Sequence, residues 1–145
     1  MKAQQVPPVT LSIASSFDNI ELAQYICDHI LKPWKLSADT THAISMALRE
    51  GMANAIKHGN AGDSGKRVSI TMEVDHDVFR MRIGDEGQGF RPDEVADPLA
   101  PENRLKTSGR GIFYMKTFMD DVRYDFSLGG TQVVLEKKLV AAGQD

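Results

Sequence analysis

Alternation of apolar and polar residues predicts five short β-strands along the chain. The strands cover residues 9–13, 68–74, 79–83, 122–126 and 133–135. The sequence Asp75-His76-Asp77 lies between the second and third runs and predicts a tight hairpin turn. The pair Gly129-Gly130 separates the last two runs in the same way. Short runs joined by turns of this kind predict a sheet that is mainly antiparallel.

Apolar residues at helical spacing predict a helix directly after the first strand. Ser15 or Ser16 ends the strand and resembles an N-cap, with Asp18 close behind. The helix is predicted to run from about residue 17 to 31 and to end before a proline. Its buried positions are predicted to be Leu22, Ile26 and Ile30.

A second helix follows at once and is predicted to run from Ser37, its N-cap, to His58. Its apolar stripe consists of Ile44, Leu48, Ala55 and Ile56. Gly59 stands just past the last helical residue, which predicts a left-handed exit at that glycine.

The segment between the third and fourth strands predicts a loop and then a short helix. Residues 91–107 hold three prolines and no sustained period, and loops of this length are usually lids or binding segments. We therefore predict a lid over about residues 91–108. The spacing of Ile112, Met115 and Met119 predicts the short helix that follows.

This order of elements predicts the α+β class, with helices packed on one face of a mixed, mainly antiparallel sheet. The result is a two-layer α/β sandwich. A chain of 145 residues has the length of one domain, and we predict a single domain over residues 1–145 with a core at about 9–139.

Composition excludes several classes of function. The net charge is −3 and the basic residues are scattered, so we expect no direct nucleic-acid partner. No apolar run reaches membrane length, the N-terminus lacks the core of a secretion signal, and Cys27 is the only cysteine. These features predict a cytoplasmic protein with no membrane contact, in which Cys27 is a small buried hydrophobe. The four histidines show no zinc-ligand spacing.

Three polar residues of the second helix are candidates for chemistry at a phosphate. Glu50, Asn54 and His58 are four residues apart and share the face opposite the apolar stripe. A magnesium ion held by nucleotide phosphates needs only one or two protein oxygens, and the Asn54 amide oxygen suits it. Glu50 is the candidate base for an attacking hydroxyl. A solvated helix face has the same composition, so these residues alone do not decide the matter.

Asp85 follows a predicted strand and leads a glycine-rich turn that includes Gly87 and Gly89. Glycine allows a ligand to approach the backbone closely. An ionised carboxylate only accepts hydrogen bonds, so Asp85 matches the amino group of adenine and disfavours the carbonyl of guanine. A tight turn without a ligand is the alternative interpretation.

A second glycine pair, Gly109 and Gly111, brackets Arg110 where the short helix begins. Backbone amides at a helix start bind phosphate oxygens when no side chain blocks approach. Lys106 and Arg110 are candidates to add positive charge. Thr131, after the glycine pair 129–130, is a candidate for a hydrogen bond near the base, although a plain strand threonine is an equally good interpretation.

Taken in this order, the motifs resemble the ATP-binding domain shared by gyrase, heat-shock chaperones, histidine kinases and mismatch-repair ATPases. Within that group the chain is similar to the small anti-sigma factor serine kinases. The resemblance covers about residues 9–139. ALREGMANAIKHGN resembles the asparagine box, DEGQGF and SGRGIF the two glycine boxes, and FMDDVRY with the later GGT the segment that closes the domain.

The resemblance implies a Bergerat-type ATP-binding fold that takes ATP with Mg²⁺. It implies Glu50 as the catalytic residue and Asn54 as the metal ligand. The nucleotide-binding residues expected from the motifs are Asn54, Lys57, His58, Asp85, Gly87, Gly89, Phe90, Lys106, Ser108, Gly109, Arg110, Gly111, Ile112 and Thr131.

The family also implies partners. Its members hold a sigma factor, or phosphorylate a serine of a small antagonist protein, and they act as homodimers. We therefore expect an anti-sigma factor with serine/threonine kinase activity. Two alternatives stay open at this point, namely a switch that binds ATP without transferring phosphate and a detached histidine-kinase-like ATPase module.

Overall fold

A five-stranded sheet and two long helices make up the part of the chain that the computed structural model describes, residues 5–87, 115–127 and 129–140. The strands and helices, in chain order, are β1 (Val6–Ala14), α1 (Asn19–Leu31), α2 (Ala38–Asn54), β2 (Arg67–Asp75), β3 (Val78–Gly84), β4 (Asp121–Asp125) and β5 (Gln132–Lys138). A three-residue 3₁₀ turn, Lys32–Trp34, joins α1 to α2, and a π-helix, Ala55–Gly59, continues α2. Residues 115–118 form a helical turn ahead of β4.

The strand order is β1-β2-β3-β5-β4, and all four pairings in the described part are antiparallel. The predicted hairpin is confirmed, because β2 and β3 pair from Asp75 opposite Val78 onward. His76 and Asp77 form its loop with φ of 51° and 62°, the left-handed pair that a two-residue turn of this twist requires.

The core lies between one face of the sheet and the two helices, which confirms the predicted two-layer sandwich. Alternate residues of the strands point into it, and Phe79, Met81 and Leu135 are fully buried. The opposite face is polar. There Arg80 forms ion pairs with Glu73 at 2.9 Å and with Glu136 at 3.2 Å. The hydrogen bond to Glu73 raises the pKa of the Arg80 guanidinium most, and the one to Glu136 raises it further. No helix in the described ranges is long and apolar enough to cross a membrane.

Helix α1 packs through a different stripe from the one its sequence predicts. Ile20, Ala23, Cys27 and Leu31 are its buried residues, whereas Leu22 is 47% exposed. Ile26 and Ile30 are only partly buried beside the core. The prediction was wrong because α1 carries apolar residues on two faces, and their spacing alone does not show which face meets the core.

Cys27 is buried on that stripe, which confirms the prediction that it is a small hydrophobe. Burial raises the pKa of its thiol to about 12, and the neighbouring Asp28 carboxylate adds to the effect. A thiol with such a pKa stays protonated near neutral pH and is a poor nucleophile.

The helix starts differ from each other. Ser37 caps α2 as predicted, because its Oγ accepts a hydrogen bond from the Thr40 amide at 3.1 Å. Ser15, one of the two predicted caps of α1, is instead 2% exposed and belongs to the interior. Its neighbour Ser16 accepts from the Asp18 amide at 3.3 Å, and α1 begins at Asn19.

The end of α2 also departs from prediction. The α-helix stops at Asn54, and the chain then widens into the π-helix up to Gly59. The left-handed exit predicted at Gly59 is wrong, since the positive φ angles are those of Ala61 (53°) and Gly62 (73°). Gly59 is required for another reason, which is its contact with Asp85.

Candidate ATP-binding site

The Asp85 carboxylate is the fixed centre of the site. The Asp85 amide donates to the carbonyl of Thr131 at 3.1 Å, which extends the β3–β5 pairing past the last residue of β3. Its Oδ1 atom accepts from the amides of Gly87 at 2.9 Å and Thr131 at 3.2 Å. The structure therefore brings together three of the residues that the sequence placed around adenine.

Three glycines press against this aspartate and its turn. A Cβ on Gly59 would overlap Asp85 Oδ2, and one on Gly130 would overlap the Asp85 carbonyl oxygen. A Cβ on Gly87 would overlap the carbonyl oxygen of Gly59. Backbone from the end of α2, from the turn after β3 and from the turn before β5 thus converges on one carboxylate. Among the described residues none donates a hydrogen bond to Oδ2.

Asn60 supports this turn, a role that the sequence did not predict because Asn60 was assigned to a loop. It is 0% exposed, and its Oδ1 accepts from the Glu86 amide at 2.8 Å. Its Nδ2 donates to Ser15 Oγ and to the Arg67 carbonyl, each at 3.0 Å. A lone asparagine after a helical glycine has no periodic signal, so one sequence could not separate it from an ordinary loop residue.

The residues proposed for the phosphate end lie on the helical path that leads to Gly59. Glu50 and Asn54 are half-buried in the last part of α2, while Lys57 and His58 are exposed on the π-helix. Gly59 is nine positions after Glu50, and the last five of these positions form the π-helix.

Gly51 draws α2 close to the sheet beside Glu50. A Cβ added there would come within 2.6 Å of Ile83 Cδ1, so only glycine allows this approach without a shift of Ile83. Ile83 is two residues before Asp85. The contact therefore ties the helical turn of Glu50 to the strand that ends at the aspartate.

Glu50 opens onto a groove between the start of α1 and the C-terminal half of α2, of about 500 Å³. The groove is lined by Phe17, Asp18, Ile20, Glu21, Arg49, Glu50 and Ala53. Phe17 is 56% exposed at its rim. Glu50 therefore lines an open groove at the surface of the described part of the chain.

The remaining predicted residues of the site lie outside the described residues. They are Gly89, Phe90, Lys106, Ser108, Gly109, Arg110, Gly111 and Ile112, together with the predicted lid. The second glycine box and its role at phosphate stay predictions.

Comparison with known families defines the class of protein. Residues 13–137 match the histidine kinase-like ATPase domain. The chain is also 37% identical over 135 residues to the anti-sigma F factor of Bacillus licheniformis, covering 89% of this chain and 87% of that protein. It is 34% identical over 132 residues to that of Bacillus subtilis (strain 168), with the same two shares. The chain therefore belongs to the histidine kinase-like ATPase domain family, within the group of the anti-sigma F factors.

Solved structures agree on the fold. The RsbU and RsbW domains of a Mycobacterium tuberculosis protein align with a TM-score of 0.66 at 18% identity, covering 92% of this chain and 33% of that one. The catalytic domain of the histidine kinase ThkA aligns with a TM-score of 0.60 at 13% identity, over 92% and 96% of the two chains. The predicted Bergerat-type sandwich is thereby confirmed.

Proposed function

We propose that this protein is an anti-sigma regulatory factor that uses ATP to phosphorylate a serine or threonine of a small antagonist protein. The observation that supports the proposal is the way the Asp85 side chain is held, which we call the aspartate seat. Two backbone amides donate to its carboxylate, and three glycines from separate segments, Gly59, Gly87 and Gly130, pack around it and its turn. A turn that served only to reverse the chain would not need glycine at Gly59 on a helix. A cradle for a flat base does need it, because a side chain there would displace the carboxylate.

Asp85 is proposed to select adenine. Oδ1 is held by the Gly87 and Thr131 amides, so Oδ2 is left to accept from the exocyclic amino group of the base. Guanine presents a carbonyl at that position, and two acceptors repel each other. Thr131 lies beside the carboxylate and is proposed to contact the base.

Glu50 is proposed to act as the general base. The acceptor hydroxyl oxygen attacks the γ-phosphorus of ATP, its proton passes to the Glu50 carboxylate, and ADP leaves with the bridging oxygen. The half-buried side chain at an open groove supports this role, because an incoming protein segment can reach it.

Asn54 is proposed to hold Mg²⁺ through its amide oxygen, one turn of α2 beyond Glu50. The ion, when bound, neutralises charge on the phosphates. Lys57, His58 and the glycine pair Gly109 and Gly111 are proposed to contact the nucleotide. A magnesium ion on nucleotide phosphates needs only one or two protein oxygens, so the Asn54 amide oxygen is sufficient and a cage of carboxylates is not required.

The proposed partners are a sigma factor and the antagonist that competes for it, and the proposed assembly is a homodimer. The names of the anti-sigma F factors support the sigma factor. Two features of the fold support self-association. β1 lies at the edge of the sheet formed by the described strands, and Leu22 and Tyr25 of the neighbouring α1 are 47% and 72% exposed.

The experiment that tests catalysis compares phosphotransfer in the wild type and in Glu50→Gln. Each protein is incubated with radiolabelled ATP, Mg²⁺ and the proteins that co-purify with it. We expect Glu50→Gln to transfer phosphate at least 100-fold more slowly, the usual worth of a general base, with ATP affinity nearly unchanged. Asp39→Asn, in the first turn of the same helix, is the matched control and should keep the wild-type rate.

Two results would contradict the kinase assignment. One is equal transfer by Glu50→Gln and the wild type. The other is nucleotide-dependent capture of a partner by the wild type with no labelled product, which would favour the non-catalytic switch.

A further inference from the structure

Asn60 is fully buried, and its side chain makes three of the four hydrogen bonds that an asparagine amide can make. Nδ2 donates to Ser15 Oγ and the Arg67 carbonyl, and Oδ1 accepts from the Glu86 amide. Because the Arg67 carbonyl can only accept, these partners fix which end of the amide is the nitrogen. Aspartate could keep the acceptor but lacks the donors, and alanine could keep neither.

Asn60 connects the two segments that pack around Asp85, namely the end of the π-helix and the turn after β3. It directly follows Gly59, which lies against Asp85, and its own amide donates to the Ala55 carbonyl at 2.8 Å across the π-helix. Its side chain then holds the amide of Glu86, the residue next to Asp85. One residue therefore fixes both the glycine in front of the carboxylate and the backbone behind it.

Glu86 closes the same network from the other side. Its Oε1 accepts a hydrogen bond from the Arg67 backbone amide at 2.9 Å. The Arg67 carbonyl in turn accepts one from Asn60 Nδ2. The turn that carries Asp85 is thus tied to the first residue of β2 directly through Glu86 and indirectly through Asn60. A loop of residues 85–87 without these ties would have to be ordered when a ligand binds, which lowers affinity.

We infer that Asn60 is a positioning residue for adenine selection, which holds the turn of Asp85 in its binding geometry without touching the nucleotide. The inference rests on the proposed role of Asp85. It adds that selectivity between adenine and guanine depends on a residue whose side chain is entirely enclosed by protein. Supporting hydrogen bonds of this kind keep a recognition group close to the position in which it can bind its ligand.

The test measures the ratio of ATP to GTP affinity by titration calorimetry in folded protein, well below each variant's unfolding midpoint. A purely structural role lowers stability and leaves that ratio unchanged. We expect Asn60→Ala to lower the ratio about tenfold, the effect of loosening one hydrogen-bonded position. Asn60→Asp keeps an acceptor for the Glu86 amide and should retain most of the ratio.

Ser15→Ala is the matched control, because it removes one buried partner of Asn60 and leaves the Glu86 contact in place. It should destabilise the protein and keep the wild-type ratio. An unchanged ratio in Asn60→Ala, or an equal fall in Ser15→Ala, would overturn the inference. Asp85→Asn separates the two claims: if that variant keeps the ratio, the adenine assignment itself fails.

Hydrogen exchange on the wild-type protein provides a measurement that needs no variant to fold. The Glu86 amide should be protected in nucleotide-free protein as well as the amides of β2 and β3 are, because it donates to the buried Asn60 Oδ1 at 2.8 Å. Exchange of the Glu86 amide at the rate of an open loop would contradict a preformed turn.

Discussion

At the scale of single residues, the site depends on glycines that no side chain can replace. Gly59→Ala tests this directly. The new methyl group would overlap Asp85 Oδ2, so we expect the carboxylate to move and ATP affinity to fall at least about tenfold. We also expect a loss of about 1–3 kcal/mol in the free energy of unfolding from overpacking. Calorimetry and urea denaturation measure the two effects.

Gly84→Ala is the control for that variant. Gly84 is the residue before Asp85, yet a Cβ there meets its nearest atom, Gln132 Nε2, at 3.7 Å, which is ordinary contact. Alanine also forms helices better than glycine by about 1 kcal/mol, so helix propensity cannot explain a loss at position 59. Equal ATP affinity in Gly59→Ala and Gly84→Ala would contradict the proposed seat.

The sequence predicted some residues of the seat and could not predict others. Asp85 and Gly87 were recognisable because a carboxylate before a glycine turn has a local pattern. The need for glycine at Gly59 comes from a residue 26 positions later in the chain, so local pattern misassigned it to a helix exit. Asn60 is likewise defined by partners just after β1, at the start of β2 and in the turn after β3.

At the scale of elements, strand periodicity was the more reliable guide. Alternation identified each strand of the described ranges, since one face of the sheet is buried and the other carries charges. Helix α2 was also placed well, because its apolar stripe is unambiguous. Helix α1 was not, because Leu22 and Tyr25 place large apolar residues on its outer face as well.

That outer face leads to an element-scale prediction about assembly. Together with the edge strand β1 it offers a surface on which a second copy would bury apolar area. We expect light scattering to find a dimer for the wild type and a monomer for the double variant Leu22→Glu, Tyr25→Glu, because buried charges would oppose the interface. Thr41→Glu, exposed in the first turn of α2, should stay dimeric. A monomeric wild type at micromolar concentration would contradict the proposal.

At the scale of the whole molecule, the fold brings distant parts of the chain to one seat. The end of α2, the turn after β3 and the turn before β5 meet at Asp85 because the strand order places β5 beside β3. Order and spacing of the motifs predicted this class of fold from sequence. The pairing of Asp85 with Thr131 depends on tertiary register, which a single sequence does not contain.

The most direct test of the account is the affinity of Asp85→Asn for ATP with Mg²⁺, measured by calorimetry. The amide would present a donor to the adenine amino group in place of an acceptor, so we predict at least about a 100-fold loss, close to 3 kcal/mol. Asp75→Asn, at the exposed end of the hairpin, should bind as the wild type does. Undiminished affinity in Asp85→Asn would contradict the claim that this carboxylate recognises the base.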